Sequence, residues 1–219
     1  MSVLKIGVLA SGRGSNFQSI INETASQRLK AEIVLLITDN PSAFAIERAK
    51  KHIIEYLVIL PKEYHSRDDY FVKIAEELKK RDVGLVVLAG FMRIIGKSLI
   101  NAFPNRIMNI HPALLPSFPG LHSQRQALEY GVKISGCTVH FVDEGMDTGP
   151  IIIQAAVPVL QNDTEETLSE RILRYEHNIY PEAIRLFSEG KIEVEGRKVK
   201  IKGYTPIDTS IINPSLTET

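Results

Sequence analysis

Residues 5–27, KIGVLASGRGSNFQSIINETASQ, run from a short apolar stretch through a glycine-serine turn into an amphipathic one. Lys5–Ala10 predicts a buried strand and Asn16–Gln27 predicts a helix. The alternation repeats outward from there. Glu32–Thr38 reads as a second strand, closed by Asp39-Asn40-Pro41, and Ala43–His52 as a helix with apolar Phe44, Ile46 and Ala49 among charges. Ile54–Leu60 reads as a third strand. Arg67–Arg81 reads as a charged helix with Tyr70, Phe71, Ile74 and Leu78 on one stripe. Val83–Phe91 is the most apolar strand, expected to be central and buried on both faces. Strands and helices alternating at this spacing make right-handed βαβ units. The fold class is therefore α/β, with a mostly parallel twisted sheet flanked by helices on both faces.

In the second half, Arg106–Ile110, Cys137–Val142 and Ile151–Leu160 read as strands, with a helix at Ser123–Tyr130. Thr164-Glu165-Glu166-Thr167 opens a helix over about 164–189 that Gly190 ends, and its first-turn acids suit the helix dipole. Lys191–Lys202 alternates at period two around Glu195-Gly196, as a hairpin does. Ile211–Thr219 reads as a loose tail. There is no internal repeat or linker, so one domain over 1–219 is expected.

Lys plus Arg number 26 and Asp plus Glu number 26, so the formal net charge is zero and a basic nucleic-acid footprint is not the default reading. Hydrophobic residues make up 44% of the chain, enough for a sizeable core. One cysteine, Cys137, excludes an intramolecular disulfide and reads as a buried thiol. The longest uncharged apolar run, about Val83–Met92, is half of what spans a bilayer. No secretory leader pattern precedes the first strand. A soluble cytoplasmic protein is the expectation.

Three stretches lie where such a sheet binds ligands, beyond the carboxyl ends of its strands. The first is Ser11-Gly12-Arg13-Gly14-Ser15-Asn16. Phe17 stands where a dinucleotide fingerprint has its third glycine, and no P-loop pattern is present. The loop suits a single phosphate held by Gly14, Ser15 and Asn16. It suits equally a tight turn with Ser15 or Asn16 as N-cap. The second is Asn109-Ile110-His111-Pro112. Residues two apart on a strand share a side, so Asn109 and His111 can meet at one oxyanion or proton-transfer site. Spacing alone favours a strand-end cap beside a Pro-rich turn. The third is Asp143–Pro150, with three carboxylates and two glycines. A carboxylate there facing His111 would favour the imidazolium, although a solvated turn is the commoner role of such a cluster. Composition does not select which acid faces the histidine. His111, His122 and His140 are the histidines that can meet in space, but no zinc pattern is present and no metal site is expected.

In this order and spacing, the chain resembles the phosphoribosylglycinamide formyltransferases, the folate-dependent family of purine synthesis. The matching segments are Gly7–Phe17, Leu88–Ile95, Asn109–Pro119, Gly120–Ala127 and Asp143–Pro150, through about Tyr180-Pro181. The resemblance implies a formyltransferase-like fold with a Rossmann-type N-terminal half. It implies a phosphate-binding half over about 1–100, a folate and catalytic half over about 101–190, and a tail over 191–219. It also implies formyl transfer from 10-formyltetrahydrofolate, a co-substrate, to the amine of phosphoribosylglycinamide. Asn109, His111 and Asp147 match catalytic positions. Gly14, Ser15, Asn16 and Glu176 match the phosphoribosyl side. Arg67, Met92, Arg93, Ile94, Ile95, Asn109 and Asp143 match the folate side, with Arg67 and Arg93 as its candidate cations. The family's serine after His-Pro is Ala113 here, which removes a hydroxyl. Small-molecule partners follow, without nucleic acid, membrane or metal, in a monomer or homodimer. Methionyl-tRNA formyltransferases and formyltetrahydrofolate hydrolases share the Asn-x-His-Pro core. The former carry a further C-terminal domain and the latter an N-terminal one, and neither is expected here.

Overall fold

A computed structural model describes residues 3–204 and 211–213. Its strands are β1 (Leu4–Leu9), β2 (Ala31–Thr38), β3 (Tyr56–Val58), β4 (Leu85–Leu88), β5 (Ile107–His111), β6 (Ile134–Phe141), β7 (Ile151–Pro158), β8 (Ile192–Glu195) and β9 (Lys198–Ile201). Its helices are α1 (Ser15–Ala25), α2 (Phe44–Lys51), α3 (Arg67–Lys79), α4 (Lys97–Ala102), α5 (Ser123–Tyr130) and α6 (Glu165–Ser188).

The first seven strands form one sheet in the order β3-β2-β1-β4-β5-β6-β7. The pairings from β3 through β5 are parallel, whereas β6 and β7 are antiparallel to their neighbours. Strand order reverses between β1 and β4, which places a crevice at their carboxyl ends. β4 lies at the centre of the sheet and all four of its residues are buried, as its unbroken apolar run requires.

Strand pleating divides the core between two faces. Ile6, Val8, Leu36, Leu85 and Val87 point to the face covered by α1, α2 and α6. Leu9, Leu35, Ile37, Val86 and Leu88 point to the face covered by α3 and α4. Helices thus flank both faces, as the βαβ reading requires. Each long helix starts on a local signal. The Ser66 hydroxyl accepts from the Asp69 N–H at 3.0 Å to open α3. Thr164 and Thr167 form a reciprocal capping box that opens α6.

The sequence reading is revised at several elements, among them the Val83–Phe91 strand, which contracts to the four residues of β4. The Ile54–Leu60 strand contracts to the three residues of β3, and Pro61–Glu63 form a single 3-10 turn. A six-residue helix, α4, is too short to carry a readable period. Strand β6 begins at Ile134, three residues before the predicted start, because Ile134 and Ser135 pair with Pro158 and Val157. The Lys191–Lys202 hairpin is present as the separate pair β8-β9. The predicted loose tail falls mostly outside the described residues. Within them, the Asn213 side chain donates to the Lys133 carbonyl at 2.5 Å. No helix among the described residues is long and apolar enough to cross a membrane.

Candidate active site

The glycine loop follows β1, the segment 89–95 follows β4, and Pro112–Gly120 follows β5. All three leave the sheet at the same edge. Asn109 on β5 pairs with Leu88 on one side and with His140 of β6 on the other. Beyond His111 the chain is clamped by Thr138. Its hydroxyl donates to the Ala113 carbonyl at 2.7 Å and accepts from the Leu115 N–H at 3.1 Å. Ala113 is fully buried, so its position packs and has no room to present a hydroxyl to solvent.

The loop between β6 and β7 brings the third group. Asp147 has φ +54, a left-handed conformation uncommon for a residue with a Cβ. The loop is shaped by Asp143, whose Oδ1 accepts from the Gly145 N–H at 3.1 Å and the Thr148 hydroxyl at 2.6 Å. Gly149 is obligatory, because a Cβ there would lie 1.8 Å from the Phe141 carbonyl oxygen. The result places Asp147 Oδ2 3.4 Å from His111 Nδ1, and it accepts from the Gly120 N–H at 2.8 Å. Of the three acids in the loop, Asp147 is the one that meets the histidine.

His111 is buried, and its Nε2 stands 2.8 Å from the Phe118 carbonyl, an acceptor that requires a proton on that nitrogen. Nδ1 is therefore the atom turned toward Asp147 and the site.

His140 joins this cluster. Its Nδ1 donates to the Phe141 carbonyl at 2.8 Å, and its Nε2 lies 3.2 Å from Asn109 Nδ2 and 3.7 Å from Asp147 Oδ1. Burial pushes the His140 imidazole below its ordinary pKa, against the Phe141 hydrogen bond. It is thus neutral near pH 7, with Nε2 as acceptor for one Asn109 amide proton. The other Asn109 proton remains for a ligand. The sequence reading considered His140 only as one of three histidines able to meet. The readable signal was the strand pattern, which puts His140 opposite Asn109 once β6 is antiparallel. His122 is elsewhere, 3.8 Å from Glu165.

On the glycine-loop side, Gly14 itself is the N-cap of α1, with φ +65 and no side-chain cap. This corrects the expectation of Ser15 or Asn16 in that role. A left-handed Gly14 turns the loop so that α1 begins at Ser15. The Asn16 side chain is thereby sent across to α6, where Nδ2 donates to Glu176 Oε2 at 2.7 Å. Both residues are buried, and Asn16 Oδ1 has no partner among the described residues. Burial pushes the Glu176 carboxyl up, partly opposed by the Asn16 hydrogen bond. Polar groups buried with unused hydrogen-bonding capacity beside a phosphate-type loop suit a polyhydroxylated ligand.

Of the folate-side candidates, Arg67 lies against Ile94 and Ile95. Met92 and Ile94 are largely exposed at 65% and 54%, as are Leu121 and Met146 across the mouth. Arg67 donates to the carbonyls of Ile94 and Ile95 at 2.7 and 3.0 Å, and Arg93 pairs with Asp39 at 2.5 Å. Both cations are thus engaged by the protein. No set of three His, Cys, Asp or Glu side chains among the described residues has the arrangement to hold a metal ion.

A family profile described as formyl transferase matches residues 4–184. The chain is 45% identical over 181 residues to the phosphoribosylglycinamide formyltransferase of Bacillus subtilis, covering 83% of this chain and 93% of that one. It is 46% identical over 206 residues to the trifunctional purine biosynthetic protein adenosine-3 of Drosophila pseudoobscura pseudoobscura. That match covers 93% of this chain but spans only 15% of the relative's length. The crystal structure of glycinamide ribonucleotide transformylase 1 from Symbiobacterium toebii superposes with a TM-score of 0.90 at 52% identity, covering 91% of this chain and 94% of that one. With a profile match over most of its length and a superposition of this quality, the chain belongs to the formyl transferase family.

Proposed function

We propose that the chain transfers the formyl group of 10-formyltetrahydrofolate to the amino group of 5'-phosphoribosylglycinamide in de novo purine synthesis. The observation that carries this reading is the approach of Asp147 to His111, with Asn109 joined to them through His140, at the mouth of the crevice shared by the glycine loop and segment 89–95. Similarity to transferases of that name along almost their whole length supports the choice of substrates.

The folate co-substrate supplies an electrophilic formyl carbon. The fit to it rests on the exposed apolar Met92 and Ile94 beside the polar edge of the 90–95 backbone. The glycyl amine attacks that carbon, a new C–N bond forms, the bond to the folate nitrogen breaks, and the amine proton passes to that nitrogen. Oxygen charge develops on the way. The second amide proton of Asn109 and the Nδ1 proton of His111 are its donors, and loss of one such donor typically costs about a hundred- to a thousandfold in rate. Asp147 holds the imidazolium and relays the amine proton, a contribution of about a hundred- to ten-thousandfold. Gly14, Ser15 and Asn16 take the phosphate through backbone N–H groups at the start of α1, and Glu176 holds the ribose hydroxyls. Arg67, Met92, Arg93, Ile94, Ile95, Asn109 and Asp143 form the folate side, Arg67 by fixing the 94–95 carbonyls and Asp143 by shaping its loop.

The test is a turnover assay with both substrates. Formylated phosphoribosylglycinamide and tetrahydrofolate in equal amounts are expected. Tetrahydrofolate and formate released without the acceptor would make the chain a hydrolase, and binding without turnover would make it a ligand sensor.

A further inference from the structure

Asp39 and Asn40 leave the end of β2, on the far side of β1 from β4, and reach both segments that hold the proposed substrates. The Asp39 side chain is 7% exposed and accepts from Arg93 Nε at 2.5 Å. Its other oxygen is buried with no partner among the described residues, as is the Tyr70 hydroxyl. Burial, and after it the nearby Asp39 carboxylate, push the Tyr70 phenol well above its ordinary pKa. Asn40 Nδ2 donates to the Ser11 carbonyl at 3.1 Å. Ser11, the first residue of the glycine loop, donates its N–H to the Gly90 carbonyl at 3.0 Å, and its hydroxyl accepts from the Met92 N–H at 3.0 Å. Arg67 grips the same segment from α3 through the Ile94 and Ile95 carbonyls.

The segment is thus held at Gly90, Met92, Arg93, Ile94 and Ile95, and the Arg93 side chain, itself 44% exposed, is tied through Nε to the nearly buried Asp39 carboxylate. Tying the Arg93 guanidinium to Asp39 fixes the residue that stands between Met92 and Ile94, whose side chains are mostly exposed. A neutral group in place of Asp39 would weaken that tie, and the backbone that carries the apolar pair would lose one of its anchors. We propose that Asp39 is a positioning residue. By holding Arg93 it presents Met92 and Ile94 to the aromatic face of the folate, and through Asn40 and Ser11 it fixes that surface relative to the phosphate loop. The Arg93 charge then acts on the protein, and not on the folate carboxylates.

This inference rests on the formyl-transfer reading, and a binding measurement separates the two. Asp39→Asn, Arg93→Gln and the double variant are titrated calorimetrically with tetrahydrofolate, with kcat measured at saturating substrates. Asp39→Asn is expected to weaken tetrahydrofolate about tenfold, the size of one lost hydrogen bond to a charged group. Its kcat stays within about threefold of wild type, since no reacting atom is touched. Arg93→Gln matches that loss, and the double variant adds nothing, because the two residues act as one unit. Equal or tighter binding by Asp39→Asn, additive losses, or a far larger loss in Arg93→Gln overturns the assignment, the last by making Arg93 a direct folate contact. If Asp39→Asn does not fold, Arg93→Lys, which keeps the charge but loses the Nε contact, gives the same comparison. Wild type that binds tetrahydrofolate but transfers no formyl group overturns the functional reading alone. Wild type that binds none overturns both.

Discussion

At the residue scale, the site depends on the committed proton positions of two histidines. His111 spends Nε2 on the Phe118 carbonyl and His140 spends Nδ1 on the Phe141 carbonyl, so His111 turns Nδ1 to Asp147 and His140 turns Nε2 to the Asn109 amide. Asp147→Asn keeps the shape and removes the carboxylate that faces His111 Nδ1. Turnover is expected to fall by about a hundred- to ten-thousandfold with an unchanged melting temperature. Stopped-assay rates beside a thermal melt check this, and near-normal turnover would remove Asp147 from the chemistry. Glu176→Gln retains an acceptor for Asn16 Nδ2 and removes a carboxyl whose ionised form burial disfavours. Folding stability is expected to hold, while KM for phosphoribosylglycinamide rises by about tenfold, as for a lost pair of hydroxyl hydrogen bonds. A KM rise confined to the folate would reassign Glu176.

At the element scale, β6 organises the chain beyond β5. The Thr138 hydroxyl links the Ala113 carbonyl, the Leu115 N–H and the Gln154 side chain across three segments. Thr138→Val preserves shape but leaves the Leu115 N–H buried without its acceptor. A destabilisation of about 1–3 kcal/mol is expected in denaturant unfolding, with a loss of turnover as the turn after His111 loosens. Full stability in that variant would show that backbone packing alone holds the turn. The Tyr180 hydroxyl performs a similar task from α6, reaching the Leu88 and Met108 carbonyls at 3.0 and 2.8 Å where β4 and β5 part. Tyr180 follows Glu176 by one helical turn, so the face of α6 that seals the sheet also delivers the buried carboxyl.

At the scale of the whole molecule, buried titrating groups set the pH response. Burial lowers the pKa of His140 and of His177, the latter helped by the Arg48 charge. The unfolded imidazoles titrate near about 6.5 and take up protons first, so this stability is intact above that value and is lost as pH falls toward the folded pKa values. Glu176 has the opposite sign. Its raised pKa adds stability below the ordinary carboxyl value that is lost as pH rises through the folded one. Melting temperature is therefore expected to drop between about pH 7.5 and pH 5.5. The drop should flatten in a His140→Gln, His177→Gln double variant and steepen in Glu176→Gln. A wild-type melting curve that rises on acidification would refute the histidine account.

Much of this was legible without coordinates, because local rules act over a few residues. Alternating period placed β1, α1, β2, α2 and α3, and the unbroken apolar run placed β4 at the centre. The Asn109-Ile110-His111 spacing put two functional groups on one side of β5. What a linear pattern lacks is the partner across the sheet. Antiparallel pairing of β6 set His140 opposite Asn109, and a left-handed Asp147 rather than Asp143 or Glu144 reached His111. A left-handed Gly14 displaced the expected N-cap and sent Asn16 to Glu176, 160 residues away. Arg93 was legible as a charge, but its partner Asp39 was not, 54 residues earlier. Sequence by itself determined the layered α/β scaffold and the kinds of group at its carboxyl edge, because hydrophobic period and turn chemistry are local. Tertiary structure alone decided which of those groups touch, because contacts between distant residues depend on strand order, register and the burial of charge.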